Sequence, residues 1–235
     1  MRRIFNFFIL FVIWVGTRIF YRFDFRWIEP EPDDPWGPPY KVLTILNHTS
    51  LFEWLYAGGV PLSFLWRISG HAMVPIADKT VSRPIVGRFF KLLAPHMLPI
   101  TRQADRTWKA VLDRVNEDVM IIILPEGRMK RADGLDSEGR PMTVRGGIAD
   151  ILAAIPEGKM LIAYSGGLHH VQVPGQHLPR PFKTLKMNLE EVDIPTYRDG
   201  LNHHNDPQEF KHLVKQDLAD RRDHNCPVVE DEPLA

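Results

Sequence analysis

Cysteine is almost missing from this chain: Cys226 stands alone among 235 residues. One thiol closes no internal disulfide and builds no zinc-binding cysteine cluster, and the usage suits a reducing compartment. An excess of charge of either sign is missing too, since 29 Lys and Arg offset 29 Asp and Glu. Nothing in the balance points to nucleic acid or to an acidic partner. The glycine patterns of Walker and Rossmann loops are absent, and no internal repeat is visible. The N-terminal apolar run IFNFFILFVIWV (4–15) falls short of a membrane span. Twelve residues give ~18 Å of helix, and extension to Phe20 gives ~26 Å, against a hydrocarbon core of ~30 Å. No small-x-small cleavage site follows it, which makes it a poor secretory signal.

What is present reads as a globular domain with an unusual start. Hydrophobic residues make up 44% and charged ones 25%, and the length gives room for one sizeable core rather than two. Within the first 26 residues, however, Arg2, Arg3, Arg18, Arg22 and Arg26 face only Asp24. Arg18, Arg22 and Arg26 recur every fourth residue among Ile19, Phe20, Phe23 and Trp27, a helical stripe suited to a headgroup boundary. The alternation of Phe23, Phe25 and Trp27 with Arg22, Asp24 and Arg26 also fits a short strand, so both readings stand. Residues 1–28 are read as a membrane anchor or interfacial segment on the cytoplasmic face. EPEPDDPWGPP (29–39) is read as a proline-rich hinge, 40–222 as the main domain, and 223–235 as a loose acidic tail.

Along the main domain, strand-like and helix-like patterns alternate. KVLTIL (41–46), FLWRIS (64–69), HMLPIT (96–101), DVMIIIL (118–124), MLIAYS (160–165) and FKTLKMNL (182–189) read as strands. Helical spacing covers 51–60, 82–95, 105–117, 145–155 and 206–222. The last helix has Asp206 as N-cap, Pro207 in the first turn and Glu209 three residues after the cap. Alternation with several wholly apolar strands predicts an α/β fold: a mixed, largely parallel sheet flanked by helices, preceded by a membrane-seeking helical segment.

Chemistry concentrates just after two of the strands. In LNHTSLFEW (46–54), Ser50 and Glu53 fit a capping box, with Glu53 reaching back to the Ser50 amide. The same stretch offers a catalytic pair. His48 and Glu53 lie five apart, so they meet only if His48 sits in the loop and Glu53 in the first turn. There the carboxylate would hold one imidazole nitrogen and leave the other as general base. Both readings stay open at this stage. ILPEGRMKR (123–131) repeats the plan, with Gly127 allowing close backbone approach and Arg128 able to clamp an anion. Its plain alternative is a Pro-Glu-Gly turn among solvated basic residues. Ligands of open α/β sheets gather at the carboxyl ends of strands, so His48, Arg102 and Glu126 are expected on one face. His169-His170, His177 and His203-His204 match no metal-ligand spacing, and no metal is expected.

Taken in order, Asn47-His48-Thr49-Ser50-Leu51-Phe52-Glu53, then Leu98 to Arg102, then Leu124-Pro125-Glu126-Gly127-Arg128 resemble the motifs of the glycerolipid acyltransferase family, which includes the lysophosphatidic acid acyltransferases. Thr143-Val144-Arg145-Gly146-Gly147 resembles a later step of that family, and the likeness runs from about Lys41 to Ser165. Glu53 stands where the family carries aspartate, and the threonine of the third motif is either replaced by Arg128 or deleted in a loop one residue shorter. The resemblance implies acyl transfer from a thioester, acyl-CoA or acyl carrier protein, to a lysophospholipid hydroxyl at a membrane, without cofactor. It implies His48 and Glu53 as the catalytic pair and Arg102, Glu126, Gly127 and Arg128 as substrate-binding. Rival readings are another lysolipid or an amino-acid lipid as acceptor, a catalytically idle lipid-binding protein, or a metal-dependent hydrolase built on the histidines.

Overall fold

The computed structural model describes residues 1–229 apart from 29–30, 38, 94–95, 102, 174–175, 177 and 202–205, and apart from the side chains of 85, 86 and 91. In chain order the elements are α1 (Arg2–Phe20), β1 (Arg22–Trp27), β2 (Tyr40–Leu46), a 3-10 helix (Glu53–Gly59), α2 (Leu62–His71), β3 (Ala72–Ala77), α3 (Asp78–Val81), α4 (Pro84–Leu93) and β4 (His96–Ile100). They continue with α5 (Arg106–Leu112), β5 (Met120–Ile123), α6 (Gly147–Ala154), β6 (Lys159–Ser165), β7 (Thr184–Asp193), α7 (Ile194–Gly200) and α8 (Pro207–Asn225).

The strands form one seven-stranded sheet in the order β1-β7-β6-β2-β5-β3-β4. Among the described residues only the β6–β7 strand pairing is antiparallel; the others run parallel, so the sheet is mixed and largely parallel. Each face is covered by apolar packing, as wholly apolar strands require. On one face Ile148, Ile151 and Leu152 of α6 and Phe210, Val214 and Leu218 of α8 bury Val42, Ile121 and Ile162. On the other, Leu55, Tyr56 and Phe64 bury Leu43, Met120 and Leu161. β2 sits between β5 and β6, parallel to both. The carboxyl ends of these three strands therefore open on one edge of the sheet, and the loop after β2 meets the loops after its neighbours.

At several places the local structure differs from the sequence patterns. FLWRIS (64–69) is not a strand but the body of α2, where Phe64 and Leu65 are buried along with Ser69. The strand is the next segment, AMVPIA. Pro75 hides it: the pairing with β5 stops at Met73, and Pro75 itself stands in the ladder with β4, opposite Leu98.

The arginine stripe is broken, because α1 stops at Phe20 and Arg22 and Arg26 lie on β1. β1 pairs along its whole length with β7, so residues 22–27 join the sheet of the main domain. Phe23 and Phe25 press on Gly58 and Gly59, where an added Cβ would stand 2.5 and 2.3 Å from the rings. The hinge is docked as well. Trp36 packs edge-on between Trp27 and Phe64, with ring centroids 5.5 and 5.0 Å away, and Arg67 donates to the Gly37 carbonyl at 2.6 Å.

The tail expected to be loose from Asp223 holds its course through 229. α8 continues to Asn225, whose carbonyl accepts from Asn188 Nδ2 at 2.8 Å, and Lys186 reaches the Val228 carbonyl at 3.3 Å. Residues 230–235 lie outside the described residues.

Candidate active site

β2 ends at Leu46, and Asn47 turns the chain in the left-handed region at φ 64°, a conformation few non-glycine residues adopt without support. Support comes from every side. Asn47 Nδ2 donates to the Ser165 carbonyl at 2.9 Å, the Lys130 amide donates to the His48 carbonyl at 2.7 Å, and the Leu168 amide donates to Thr49 Oγ1 at 2.7 Å. Ser50 Oγ bonds Gln172 Oε1 at 2.6 Å, which leaves it only the Phe52 amide to accept from, at 3.2 Å. The forward half of the capping box is therefore not made, and the chain enters a 3-10 helix at Glu53. The backward half is made.

One oxygen of Glu53 makes both the contact to the His48 ring and the contacts to the backbone. Its Oε1 lies 2.8 Å from His48 Nδ1, 3.0 Å from the Ser50 amide and 3.2 Å from the Thr49 amide. The two side chains are 13% and 10% exposed, so water competes little for the contact. An ionised carboxylate only accepts, which fixes the proton on Nδ1 and makes Nε2 the basic nitrogen.

Glu126, expected among the substrate-binding residues, faces inward. Its side chain is sealed from solvent, and its two oxygens receive the Asn47 amide at 3.2 Å and the His48 amide at 2.7 Å. Arg222, from the last turn of α8, donates to it at 3.2 Å. The carboxylate thus ties the loop after β5 to the loop after β2. Gly127 follows at φ 65°, a position where a Cβ would be strained.

Arg128 does reach the site, but its guanidinium is already engaged by Asp136 and stands 3.6 Å from Glu138. The backbone amide of Arg140 and the Arg128 guanidinium hold the Asp136 carboxyl at about 2, well below the ordinary carboxylate range. Arg102 lies outside the described residues.

A cleft of about 570 Å³ opens beside the pair and is lined by both His48 and Glu53. Much of its wall is apolar: Leu51, Trp54, Val74, Ile76, Phe90 and Ile100. Gly127, Arg128, Arg145 and Lys211 also line it. Arg145 is exposed, and its backbone amide donates to the Pro125 carbonyl at 2.8 Å, which fixes it beside the Pro-Glu-Gly turn. Lys211, from α8, pairs with Asp150 at 2.7 Å. Reasoning from sequence noted Arg145 only within the TVRGG step and missed Lys211 and Arg222. No local pattern betrays the last two, because the fold of α8 alone brings them here. Of the remaining histidines, His169 and His170 bond the carbonyls of Lys130 and Thr184 at 2.8 and 2.9 Å, while His177, His203 and His204 lie outside the described residues.

An imidazole held by a carboxylate, an apolar cleft and adjoining cations suit proton removal from a polar group beside an apolar chain. Three comparisons bear on this arrangement. The model of the acyltransferase family matches residues 38–165. None of the curated proteins matches the chain. Among solved structures, the crystal structure of the 1-acyl-sn-glycerophosphate (LPA) acyltransferase PlsC from Thermotoga maritima is similar, with a TM-score of 0.54 and 16% sequence identity. The match covers 92% of this chain and 80% of that one, and at such identity it speaks for the fold. The family match spans more than half of the sequence and contains His48, Glu53, Glu126, Gly127 and Arg128. The chain belongs to the acyltransferase family.

Proposed function

We propose that this acyltransferase moves a fatty acyl group from an acyl thioester to the hydroxyl of a lysophospholipid, with 1-acylglycerol-3-phosphate as the preferred acceptor. The observation that carries the reading is the His48–Glu53 contact of 2.8 Å at the wall of an apolar cleft that also holds arginines. In the step we infer, His48 Nε2 takes the acceptor proton as the oxygen attacks the thioester carbonyl. The tetrahedral intermediate then collapses, the C–S bond breaks, and the imidazolium returns the proton to the departing thiolate. Glu53 keeps the ring in the working tautomer and offsets the charge that forms on it. The apolar wall takes the acyl chain, and Arg128 and Arg145 face the acceptor phosphate, with Arg102 retained as a third candidate on the family resemblance. Water and lysolipid compete for the same thioester, so an apolar cleft also favours transfer over hydrolysis.

We further infer that α1 seats the protein on a membrane surface rather than crossing it. Its inner side buries Asn6, Leu10 and Thr17, and Trp14 and Arg18 donate to the carbonyls of Val60 and Gly58 at 3.0 and 2.9 Å. Its outer side leaves Ile4, Phe5, Phe8, Phe11, Val12, Val15 and Ile19 exposed. Phe182, 65% exposed, stands 6.1 Å from the Phe20 ring and extends that apolar strip. A helix docked along the domain on one side and apolar on the other suits the headgroup boundary, with flanking arginines toward anionic lipid.

A panel of lysolipids, each offered with acyl-CoA and with acyl carrier protein thioester, tests the reading. The expected result is acylation of 1-acylglycerol-3-phosphate above other acceptors. Preference for a lysolipid without a phosphomonoester would overturn the acceptor assignment, and thiol release without any acylated lipid would overturn the transfer itself.

A further inference from the structure

We propose that Arg222 is a positioning residue for acyl transfer: it holds Glu126 against the backbone amides of Asn47 and His48, and so sets where the His48 imidazole stands. Arg222 lies outside the residues matched by the family model. It comes from the last turn of α8, on the far side of the chain from the motifs it supports.

The geometry is that of a built clamp. The Glu126 side chain is sealed from water and the Arg222 side chain is 11% exposed. A sealed carboxylate needs a compensating charge and donors for its lone pairs. Glu126 finds the charge in Arg222 at 3.2 Å and the donors in the Asn47 and His48 amides at 3.2 and 2.7 Å. Arg222 is itself held in place, donating to the Met142 carbonyl at 3.3 Å and to Asp223 at 2.8 Å. The amides it reaches through Glu126 flank the peptide where Asn47 adopts its left-handed turn. Asparagine adopts this region more readily than most residues, so the hydrogen bonds around Asn47 decide how sharply the turn is fixed. Releasing Glu126 would let this peptide relax and carry the imidazole off its line to the cleft. Displacements on the order of 1 Å at a reacting group can cost ~10²-fold in rate.

The neighbouring arginine supplies a control. Arg221 also ends α8 in ion pairs, with Glu190 at 2.5 Å and Asp217 at 2.8 Å, but these bind the helix to β7 and to its own preceding turn. Neither partner touches the loop after β2. Two adjacent arginines of the same helix thus divide the work: one fastens the helix and one reaches the site.

The inference rests on His48 as the base, so the test first establishes turnover in the wild-type protein with its best acceptor. If His48→Ala retains wild-type turnover, the base assignment fails, and with it the reading on which Arg222 depends. With that assignment in hand, Arg222→Met should lower kcat by ~10-fold or more while leaving donor and acceptor KM within about twofold. Arg222→Lys should recover most of the loss, because an ammonium still answers Glu126. In a Glu126→Gln background, Arg222→Met should cost less than about threefold, since no charge is then stranded. Arg221→Met should lower the melting temperature with kcat per folded molecule unchanged. The proposal is overturned if Arg222→Met lowers stability alone, if it raises acceptor KM at constant kcat, or if its effect and that of Glu126→Gln multiply. Should Arg222→Met fail to fold, Arg222→Gln takes its place in the same cycle with Glu126→Gln, with the same outcomes for and against.

Discussion

At the scale of single residues, one oxygen of Glu53 receives both the His48 ring and two backbone amides. Glu53→Gln keeps an oxygen for the amides but removes the charge that balances an imidazolium. Turnover should fall by ~10-fold or more while the melting temperature barely moves, by the logic of amide substitutions beside catalytic histidines. Equal turnover in the Gln variant would reduce Glu53 to a helix cap. Arg128 and Arg145 should separate in the same kind of experiment. Arg145→Ala should raise acceptor KM without loss of stability, because its side chain is exposed at the cleft. Arg128→Ala should raise acceptor KM and lower the melting temperature together, because Asp136, 1% exposed, then loses its cation. An unchanged acceptor KM in both would remove the phosphate from this wall.

The His48–Glu53 pairing was legible in the sequence because it is local. A strand end, a loop and a first helical turn leave few ways to arrange five residues. The inward turn of Glu126 was not legible. It depends on β2 and β5 being neighbours and on α8 returning to their ends, contacts between residues 78 and 96 positions apart.

At the scale of elements, the loop from Gly127 to Pro141 is organised by one carboxylate. Asp136 accepts from the amides of Glu138 and Arg140 at 2.7 and 3.0 Å besides pairing with Arg128. Its carboxyl titrates at about 2, against ~3.9 for an unperturbed aspartate. A folded-state value below the unfolded one stabilises the fold above pH ~3.9, and the contribution is lost as pH falls toward 2. Asp105, the α5 cap held at about 2 by Thr101 and Thr107, acts in the same direction and window. Acid titration of Asp136→Asn should show a shallower loss of stability between pH ~4 and 2 than the wild type, and an unchanged slope would refute the linkage.

For α1, replacing Phe5 and Phe8 by Ser should weaken vesicle binding by ~10²-fold or more with little change in melting temperature, because both point away from the domain. Full retention on vesicles would place the membrane contact elsewhere. Deleting 1–28, by contrast, should destabilise the domain, since it strips β1 from β7. The strand in that segment was visible as an alternation of aromatic and charged residues, one of two readings the sequence allowed. α2 and β3 were not separable in the same way. FLWRIS is short, apolar and ambiguous between periods, while Pro75 masks a strand that pairs with β5 over its first two residues and with β4 beyond them.

At the scale of the whole molecule, the topology makes the site. Three parallel neighbours, β5, β2 and β6, bring Glu126, His48 and Ser165 to one edge; the alternation of strands and helices pointed to a largely parallel sheet but not to this strand order. The 3-10 helix that starts at Glu53 ends at Gly58 and Gly59, where Thr17 and Arg18 of α1 press on it. The apolar strip of α1 is thereby joined to the element that carries Glu53, which suits a substrate drawn from a lipid surface. α8 closes the arrangement by carrying Lys211 to the cleft and Arg222 to Glu126.

The central claim is that His48, oriented by Glu53, drives acyl transfer to a lysolipid hydroxyl. It is tested most directly by following thiol release and lipid product together when purified protein meets an acyl thioester and 1-acylglycerol-3-phosphate. The account predicts one acylated lipid for each thiol released, acceptor-dependent release, and a loss of ~10²-fold or more in His48→Ala at unchanged melting temperature. Thiol release that ignores the acceptor, or a His48→Ala protein that turns over at the wild-type rate, would contradict it.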